Sequence, residues 1–356
     1  MFLAFKELKY SKAKFALIIA VVILISYLVF FLTSLANGLA SSYTNAIKKW
    51  ESDQVILTVD SNDSMMMSYM NQEHFDSVET NGIKAKLALF PAVINNPSSD
   101  NVLDSRVDVY FLGIEDDSFI KPSELRDLKL QGNQVIVDEE LKKEGYKIGD
   151  IFGITGSKDQ YEIIGFSSKT TYQTAPVIFM SLDTWQKYRY GTANTPDLFS
   201  AIIIKGESKD MSLDLISYTT DEYISTLPGY NAQVLTFSVM IVFLIIITAF
   251  VLGIFIYVLT IQKTSMFGVM KAQGISNWYI GGSVIIQTFL LIIIGLVIGL
   301  FFTILTGIFL SNVIPFAINI LFYIIITLSF ILFSFFGGLF SVKAVLKIDP
   351  LKAIGG

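Results

Sequence analysis

The chain has 356 residues, of which 53% are hydrophobic, 16% are charged and none is cysteine. Its mean hydropathy of +0.58 and its low charge, against about 25% in typical soluble proteins, exclude an ordinary soluble protein and a disordered one. The absence of cysteine excludes disulfides and cysteine-ligated zinc or iron–sulfur sites. One histidine, His74, cannot form a histidine metal cluster, and the net charge of −5 argues against nucleic acid as a partner.

Three long stretches carry no charged residue: Phe15–Ile47, Tyr223–Gln262 and Ala272–Val342. A helix needs about 20 apolar residues to span a bilayer, so the first two stretches fit one span each and the third fits two. The third is divided by a turn sequence that ends at Pro315. The first stretch is predicted to be a retained anchor, because its apolar run is longer than that of a signal peptide and no Ala-x-Ala site follows. The predicted spans are residues 15–40, 233–261, 279–310 and 316–342.

Lysines near the span ends predict the orientation of the chain. One group of lysines precedes the first span, a second lies between the second and third spans, and a third follows the fourth span. If the chain crosses the membrane four times, all three groups lie on the same side of the membrane. Lys48 and Lys49 oppose this arrangement but are outnumbered. We therefore expect a multi-pass protein of the cell membrane with both termini in the cytoplasm and residues 52–230 outside. That segment has a charge balance of −13, and the rest of the chain has +8.

The segment 52–230 is long enough to fold around its own core. Strand patterns rich in β-branched and aromatic residues occur at 54–59, 107–113, 134–137, 161–166, 175–180 and 201–204. Helical patterns occur at 71–80, 139–145, 181–190 and 212–227, and residues 95–101 are a loop by composition. The predicted fold class is a membrane α-helical protein with four transmembrane helices and an α+β extracellular domain inserted between helices 1 and 2.

The chain has one span, then a large outer domain, then three further spans. This layout resembles that of the FtsX/MacB-type permeases of ATP-binding cassette systems. Three segments carry the resemblance: the basic stretch Lys6–Lys14, the loop Lys263–Gly274 with its Gly-Val-Met-Lys-Ala-Gln-Gly core, and the tail Asp349–Ala353. The loop departs from the family at Lys263-Thr264-Ser265, where Arg-Glu is usual. Within the family, residues Phe30–Ala40 resemble the haem-efflux permeases of Gram-positive bacteria most closely.

The chain has no Walker A sequence, so it is predicted to be a non-catalytic subunit whose ATP is hydrolysed by a separate partner. The resemblance implies two copies of an ATPase subunit as partners and a homodimer of this chain in the lipid bilayer. A short amphipathic helix in the inner loop is predicted to dock on the ATPase, and a helix lying on the lipid surface is the alternative. The predicted docking residues are Lys263, Met266, Phe267, Met270 and Lys271.

The predicted division of the chain follows from these segments. Residues 1–14 form an amphipathic helix at the cytoplasmic interface, and 15–51 form transmembrane helix 1 with its outer extension. The remaining parts are the extracellular domain (52–230), transmembrane helix 2 (231–262), the coupling helix (263–277), transmembrane helices 3 and 4 (278–343) and a cytoplasmic tail (344–356).

Haem as the cargo, which the resemblance implies, needs an axial ligand from histidine, methionine, tyrosine or a carboxylate. The predicted spans contain no histidine, and His74 is more typical of a surface residue. No metal site and no permanently bound cofactor are expected. The methionine-rich run Met65–Met70 could bind haem or metal, or pack as an apolar lid. The candidate substrate-binding residues at the outer ends of the spans are Asn37, Tyr43, Glu51, Tyr230 and Met240, although Asn37 could equally satisfy a helix end.

The predicted spans contain no charged residue, which argues against a water-filled pore. We expect haem to enter sideways from the outer leaflet and to be expelled when ATP-driven closure brings spans 1 and 2 of two copies together. The small-residue spacing of Gly295 and Gly299 predicts close helix packing, more often within one chain than between copies. Two other functions stay open: mechanotransmission to an outer hydrolase, and export of peptides, antibiotics or lipoproteins. A receptor or channel would not explain the docking loop.

Overall fold

The computed structural model describes residues 12–95, 106–154, 159–191, 196–310 and 313–346. Its α-helices there are α1 (Lys12–Lys49), α2 (Gln72–Ser77), α3 (Leu182–Tyr190), α4 (Thr220–Thr226), α5 (Tyr230–Gln262), α6 (Thr264–Ala272), α7 (Asn277–Leu310) and α8 (Ile320–Leu346). Its strands are β1 (Gln54–Thr58), β2 (Glu79–Thr80), β3 (Ile83–Asn95), β4 (Arg106–Ile114), β5 (Gln134–Asp138), β6 (Ile151–Ile154), β7 (Gln160–Ser167), β8 (Thr171–Tyr172), β9 (Ala175–Ser181), β10 (Ala201–Lys205), β11 (Ser208–Asp210) and β12 (Leu215–Thr219). Most of the predicted interfacial helix 1–14 and of the predicted tail 344–356 lies outside these ranges.

The chain divides into two compact units. The helical unit comprises Met1–Gly38 and Val234–Gly356, and the sheet unit comprises Leu39–Gln233. Four helices, α1, α5, α7 and α8, are long and apolar enough to cross a membrane. This confirms the prediction of four spans with a sheet-rich domain between the first and the second. Helix α1 continues to Lys49, beyond the predicted end of the span at residue 40.

The helical unit has a core of large apolar side chains from all four long helices, including Phe15 and Phe30 of α1 and Phe330 of α8. Two glycines of α7 allow close approach to α1. A Cβ atom added at Gly295 would lie 2.4 Å from Val22 Cγ1, and one added at Gly299 would lie 2.1 Å from Ser26 Oγ. The small-residue spacing therefore serves packing within the chain, as the sequence predicted.

Helix α8 begins at Ile320, four residues later than predicted, because the residues before it are held against α1. The amide of Ala317 donates a hydrogen bond to the carbonyl of Ser34 over 3.2 Å. Asn319 then starts the helix, since its side-chain oxygen accepts hydrogen bonds from the amides at 321 and 322. The proline at 315 thus belongs to a non-helical connection and does not open the helix.

The sheet unit is built on a ten-stranded sheet with the order β12-β1-β10-β3-β4-β9-β5-β7-β6, and β8 pairs with β9. Strand β3 also pairs with β6, the last strand of this order. The six strands β3, β4, β9, β5, β7 and β6 therefore form a closed part of the sheet. Successive side chains of β4 belong to two different hydrophobic cores of the sheet unit. Phe111 packs in the first core and Leu112 packs in the second. The second core also contains Trp50, just beyond the end of α1.

The structure corrects three of the predicted helices in this unit. Residues 212–227 were predicted as one helix, but Leu215–Thr219 form β12, which pairs with β1, and only Thr220–Thr226 are helical. The helix starts there because Thr219 and Glu222 form a capping box. The helix predicted at 71–80 is confined to Gln72–Ser77, and the one at 139–145 is a single 3₁₀ turn. The loop predicted at 95–101 lies outside the described residues except for Asn95.

Candidate substrate site and docking helix

Tyr43 and Tyr230 are the two predicted substrate residues that the structure brings together. Tyr43 lies on the last turns of α1 and Tyr230 is the first residue of α5. Their ring centroids are 6.1 Å apart with an interplanar angle of 52°, and both side chains are half-buried. A Cβ atom added at Gly229 would lie 3.8 Å from the Tyr43 hydroxyl oxygen, an ordinary van der Waals distance, so the residue before α5 lies beside that phenol. The arrangement gives two partly accessible phenols at one place in the sheet unit.

Three further tyrosines surround this pair, and the sequence did not single them out. Tyr110 and Tyr172 meet edge-on with ring centroids 5.0 Å apart, and the hydroxyl groups of Tyr172 and Tyr223 are 2.8 Å apart. Burial raises the pKa of Tyr110, and that pKa is raised further by Asp108 and Tyr43. Burial also raises the pKa values of Tyr172 and Tyr223. These inner phenols therefore stay neutral and donate or accept hydrogen bonds, whereas an iron ligand must be a phenolate.

A strained turn between β8 and β9 holds the end of α1 in place beside this cluster. Gln173 and Thr174 have φ angles of 47° and 73°, which suits the two-residue hairpin but is costly for a β-branched residue. Their amides donate to the carbonyls of Tyr43 and Ser42 over 3.1 and 3.2 Å. The Gln173 side chain accepts a hydrogen bond from the Tyr110 hydroxyl over 3.1 Å. The backbone of Tyr43 is thus fixed while its ring remains half-exposed.

Asn37 lies in the helical unit and is engaged in a structural contact. Its side-chain Nδ2 donates a hydrogen bond to the carbonyl of Ala317 over 3.1 Å. Together with the bond from the Ala317 amide to the Ser34 carbonyl, it clamps the α7–α8 connection onto α1. The side-chain amide of Asn37 is therefore committed to this carbonyl, which favours a structural role for the residue.

Glu51 and Met240 are not part of the tyrosine cluster. Glu51 follows the end of α1 with a φ of 51°, and its exposed carboxylate lies 3.2 Å from Lys205 Nζ. Met240 lies in the first third of α5, in the helical unit, and is half-buried. Glu51 is thus occupied by a surface ion pair, and Met240 offers a thioether in the other unit.

The remaining sequence candidates for haem or metal have structural roles. Met65 and Met70 are buried in the two cores of the sheet unit, whereas Met67 is exposed. His74 Nδ1 accepts a hydrogen bond from the Asn71 amide, and Nε2 lies 2.9 Å from Asp214 Oδ2, so its ring caps a short helix. Among the described residues, no group of three or more histidine or carboxylate side chains could hold a metal ion.

The sheet unit also contains an open cavity of about 730 Å³ beside the start of α3. Lys86 is 8% exposed there, and its Nζ lies 3.8 Å from Glu115 Oε1. Burial raises the pKa of Glu115, and Lys86 opposes that shift. Asp183 and Asp197 lie in the lining together with the apolar side chains Ile114, Leu130 and Leu182. The cavity therefore combines charged groups with apolar surface, as a ligand that is partly polar would need.

The connection between α5 and α7 contains the short helix α6, and Gly274 ends it in a Schellman arrangement. Gly274 has a φ of 84°, its amide donates to the Lys271 carbonyl, and the Ile275 amide donates to the Met270 carbonyl. Met266 and Val269 are 37% and 44% exposed. They are the apolar side chains of α6 that a partner could contact.

Two of the predicted docking residues point into the protein. Phe267 is 1% exposed and packs against Ile280 and Val284 of α7. Lys263 reaches α7 as well, where its Nζ lies 2.9 Å from Gln287 Oε1. Lys263 and Phe267 are four positions apart in the sequence, so their side chains lie on the same face of the chain at the start of α6. Met270 and Lys271 are half-buried.

Comparisons with known proteins agree with this architecture. Residues 238–350 match the family model described as the FtsX-like permease C-terminal domain. The whole chain is 27% identical, over 361 residues and 99% of the relative's length, to the inferred hemin transport system permease protein HrtB of two Staphylococcus epidermidis strains. It is 24% identical over 371 residues to the protein of the same name from Staphylococcus haemolyticus. The chain is therefore similar over its whole length to proteins named as hemin transport permeases, and its residues 238–350 match an FtsX-like permease C-terminal domain.

Proposed function

We propose that the chain is the permease subunit of a haem efflux system, and that it exports haem from the membrane. The similarity to hemin transport permeases over the full length of the chain carries this proposal. The low charge of the four apolar helices supports it, because an amphiphile can leave a bilayer without a polar pore.

Tyr43 and Tyr230 are the residues that we assign to the cargo. A tyrosine phenolate can ligate ferric haem iron, and these two rings are half-exposed and 6.1 Å apart. The strained turn that holds the Tyr43 backbone would keep the phenol in place while the cargo binds and leaves. Glu51 and Met240 are further candidate ligands of the carboxylate and thioether types, each considered separately from this pair.

The transport cycle that we propose uses two copies of this chain and two copies of a partner ATPase. The ATPase would dock on the exposed side chains Met266 and Val269 of α6. Haem would enter sideways from the outer leaflet, and ATP-driven closure would bring α1 and α5 of the two copies together and expel it outward. The lysine distribution supports cytoplasmic termini, with residues 52–230 outside the cell.

Titration of the purified full-length chain with ferric haem tests the assignment of the two tyrosines. We expect saturable binding with an absorption spectrum that changes when Tyr43 and Tyr230 are both replaced by phenylalanine. Tyr69→Phe is a matched control, because Tyr69 is an exposed tyrosine outside the cluster. An unchanged haem spectrum in the double variant would refute the assignment.

A second candidate function is mechanotransmission, or export of a polar cargo such as a peptide. The cavity of about 730 Å³ favours it, because charged side chains such as Lys86, Glu115 and Asp197 contribute to its lining. Deletion of the gene separates the two candidates. Sensitivity to haem is expected for haem efflux, and unchanged growth on haem is expected for the second candidate.

A further inference from the structure

Lys263 is placed inside the helical unit although it stands at the corner between α5 and α6. It occupies the position before the first residue of α6, but its side chain makes no capping hydrogen bond there. Its Nζ lies 2.9 Å from Gln287 Oε1 of α7 and 5.1 Å from the centroid of the Phe15 ring of α1. One ammonium group thus joins the start of α6 to two other helices.

Gln287, which accepts this contact from Lys263, is a buried polar residue of α7. It is 5% exposed, and its Nε2 is buried without a hydrogen-bond partner among the described residues. A small cavity of about 10 Å³, which also touches Thr260 and Thr288, adjoins this amide. Such a space is just enough for one water molecule, which would accept the Nε2 hydrogen and reach a threonine hydroxyl. Gln287 thus presents its side-chain oxygen to Lys263 from a buried position.

We propose that Lys263 is a positioning residue: an internal anchor that fixes α6 to α7 and α1 through Gln287 and Phe15. Its half-buried ammonium group lies just beyond the last residue of α5, where an amide oxygen and an aromatic face stabilise the charge. Phe267, four residues later, packs on α7 from the same side. The two contacts hold α6 as a rigid continuation of the bundle, so a force applied to its exposed face reaches α7 directly. The anchor does not depend on which cargo the protein carries.

The test uses the natural absence of cysteine. Nitroxide labels on Val269→Cys and Ile294→Cys report the distance between α6 and α7, since both positions are exposed. Labels on Ile294→Cys and Ile324→Cys report the packing of α7 on α8 as a control pair. Lys263→Met and Gln287→Leu are compared with Lys263→Arg and Gln287→Glu, which keep the donor and the acceptor, and with Lys271→Met as a matched lysine control.

The anchor predicts that Lys263→Met and Gln287→Leu broaden the distance distribution of the α6–α7 pair and leave the α7–α8 pair unchanged. Amide exchange in α6 should rise by about tenfold or more, as loss of a charge-assisted hydrogen bond implies. Lys263→Arg, Gln287→Glu and Lys271→Met should keep the natural distribution. An unchanged α6–α7 distribution in Lys263→Met would overturn the proposal. Equal broadening of both label pairs would also overturn it, because it would show general loss of packing.

Discussion

Replacement of Asn37 by alanine separates a structural role of this residue from a substrate role. The substitution removes the hydrogen bond from Nδ2 to the Ala317 carbonyl, which spans 3.1 Å. A neutral hydrogen bond of this kind contributes about 1 kcal/mol, and about 1.4 kcal/mol corresponds to tenfold in an equilibrium constant. The connection between α7 and α8 should therefore open about fivefold more often.

Hydrogen exchange at the Ala317 amide measures this opening, because that amide donates to the Ser34 carbonyl beside Asn37. Asn37→Asp should have a larger effect, since a carboxylate oxygen would face the Ala317 carbonyl with no hydrogen to donate. Asn231→Ala is a matched control: it removes an amide hydrogen bond to the Ser225 carbonyl, in the sheet unit. Unchanged exchange at Ala317, together with weaker haem binding in Asn37→Ala, would refute the structural role.

Three further predictions concern packing, capping and pH. Gly299→Ala should destabilise the helical unit by about 1–3 kcal/mol in thermal unfolding, because the new Cβ atom would lie 2.1 Å from Ser26 Oγ. Gly282→Ala is the control and should be neutral in the same measurement, because its Cβ atom would meet no atom within 4 Å. Thr219→Ala should cost about 1 kcal/mol in urea unfolding of the sheet unit, since the Thr219 hydroxyl accepts the Glu222 amide at the start of α4. Burial raises the pKa of Asp116, but hydrogen bonds from Lys121 and the Leu130 amide outweigh it and the net pKa is lowered. The resulting stabilisation is complete above the ordinary aspartate pKa and is lost as pH falls through the lower folded pKa, so Asp116→Asn should flatten the acid limb of stability against pH.

The four long helices could be predicted from the sequence because charge-free stretches of this length have one physical solution in a bilayer. The six predicted strands could be found for a related reason, since their β-branched runs are distinctive. Strand β3 was missed, because Ile83–Asn95 contains two lysines and Pro91, which weaken the pattern. The helix predicted at 212–227 failed where pairing with β1 overrode helical periodicity.

The candidate site was predictable only in part. Tyr43 and Tyr230 could be chosen because both flank apolar spans, but their meeting depends on how the chain folds back on itself. Tyr110, Tyr172 and Tyr223 lie far apart in the sequence and give no local signal of their proximity. A short amphipathic pattern predicts α6 as a helix but does not say which of its faces meets the protein, and Lys263 and Phe267 turned inward.

We propose that the chain moves haem out of a membrane at the expense of ATP. The most direct test reconstitutes the permease with its ATPase in vesicles whose bilayer contains haem and whose lumen contains a haem-free globin. With ATP supplied on the ATPase side, we expect the absorption of the haem-loaded globin to appear in the lumen, and we expect this transfer to be lost in the Tyr43→Phe/Tyr230→Phe variant. Transfer that is equally fast without ATP, or in vesicles without the permease, would contradict it.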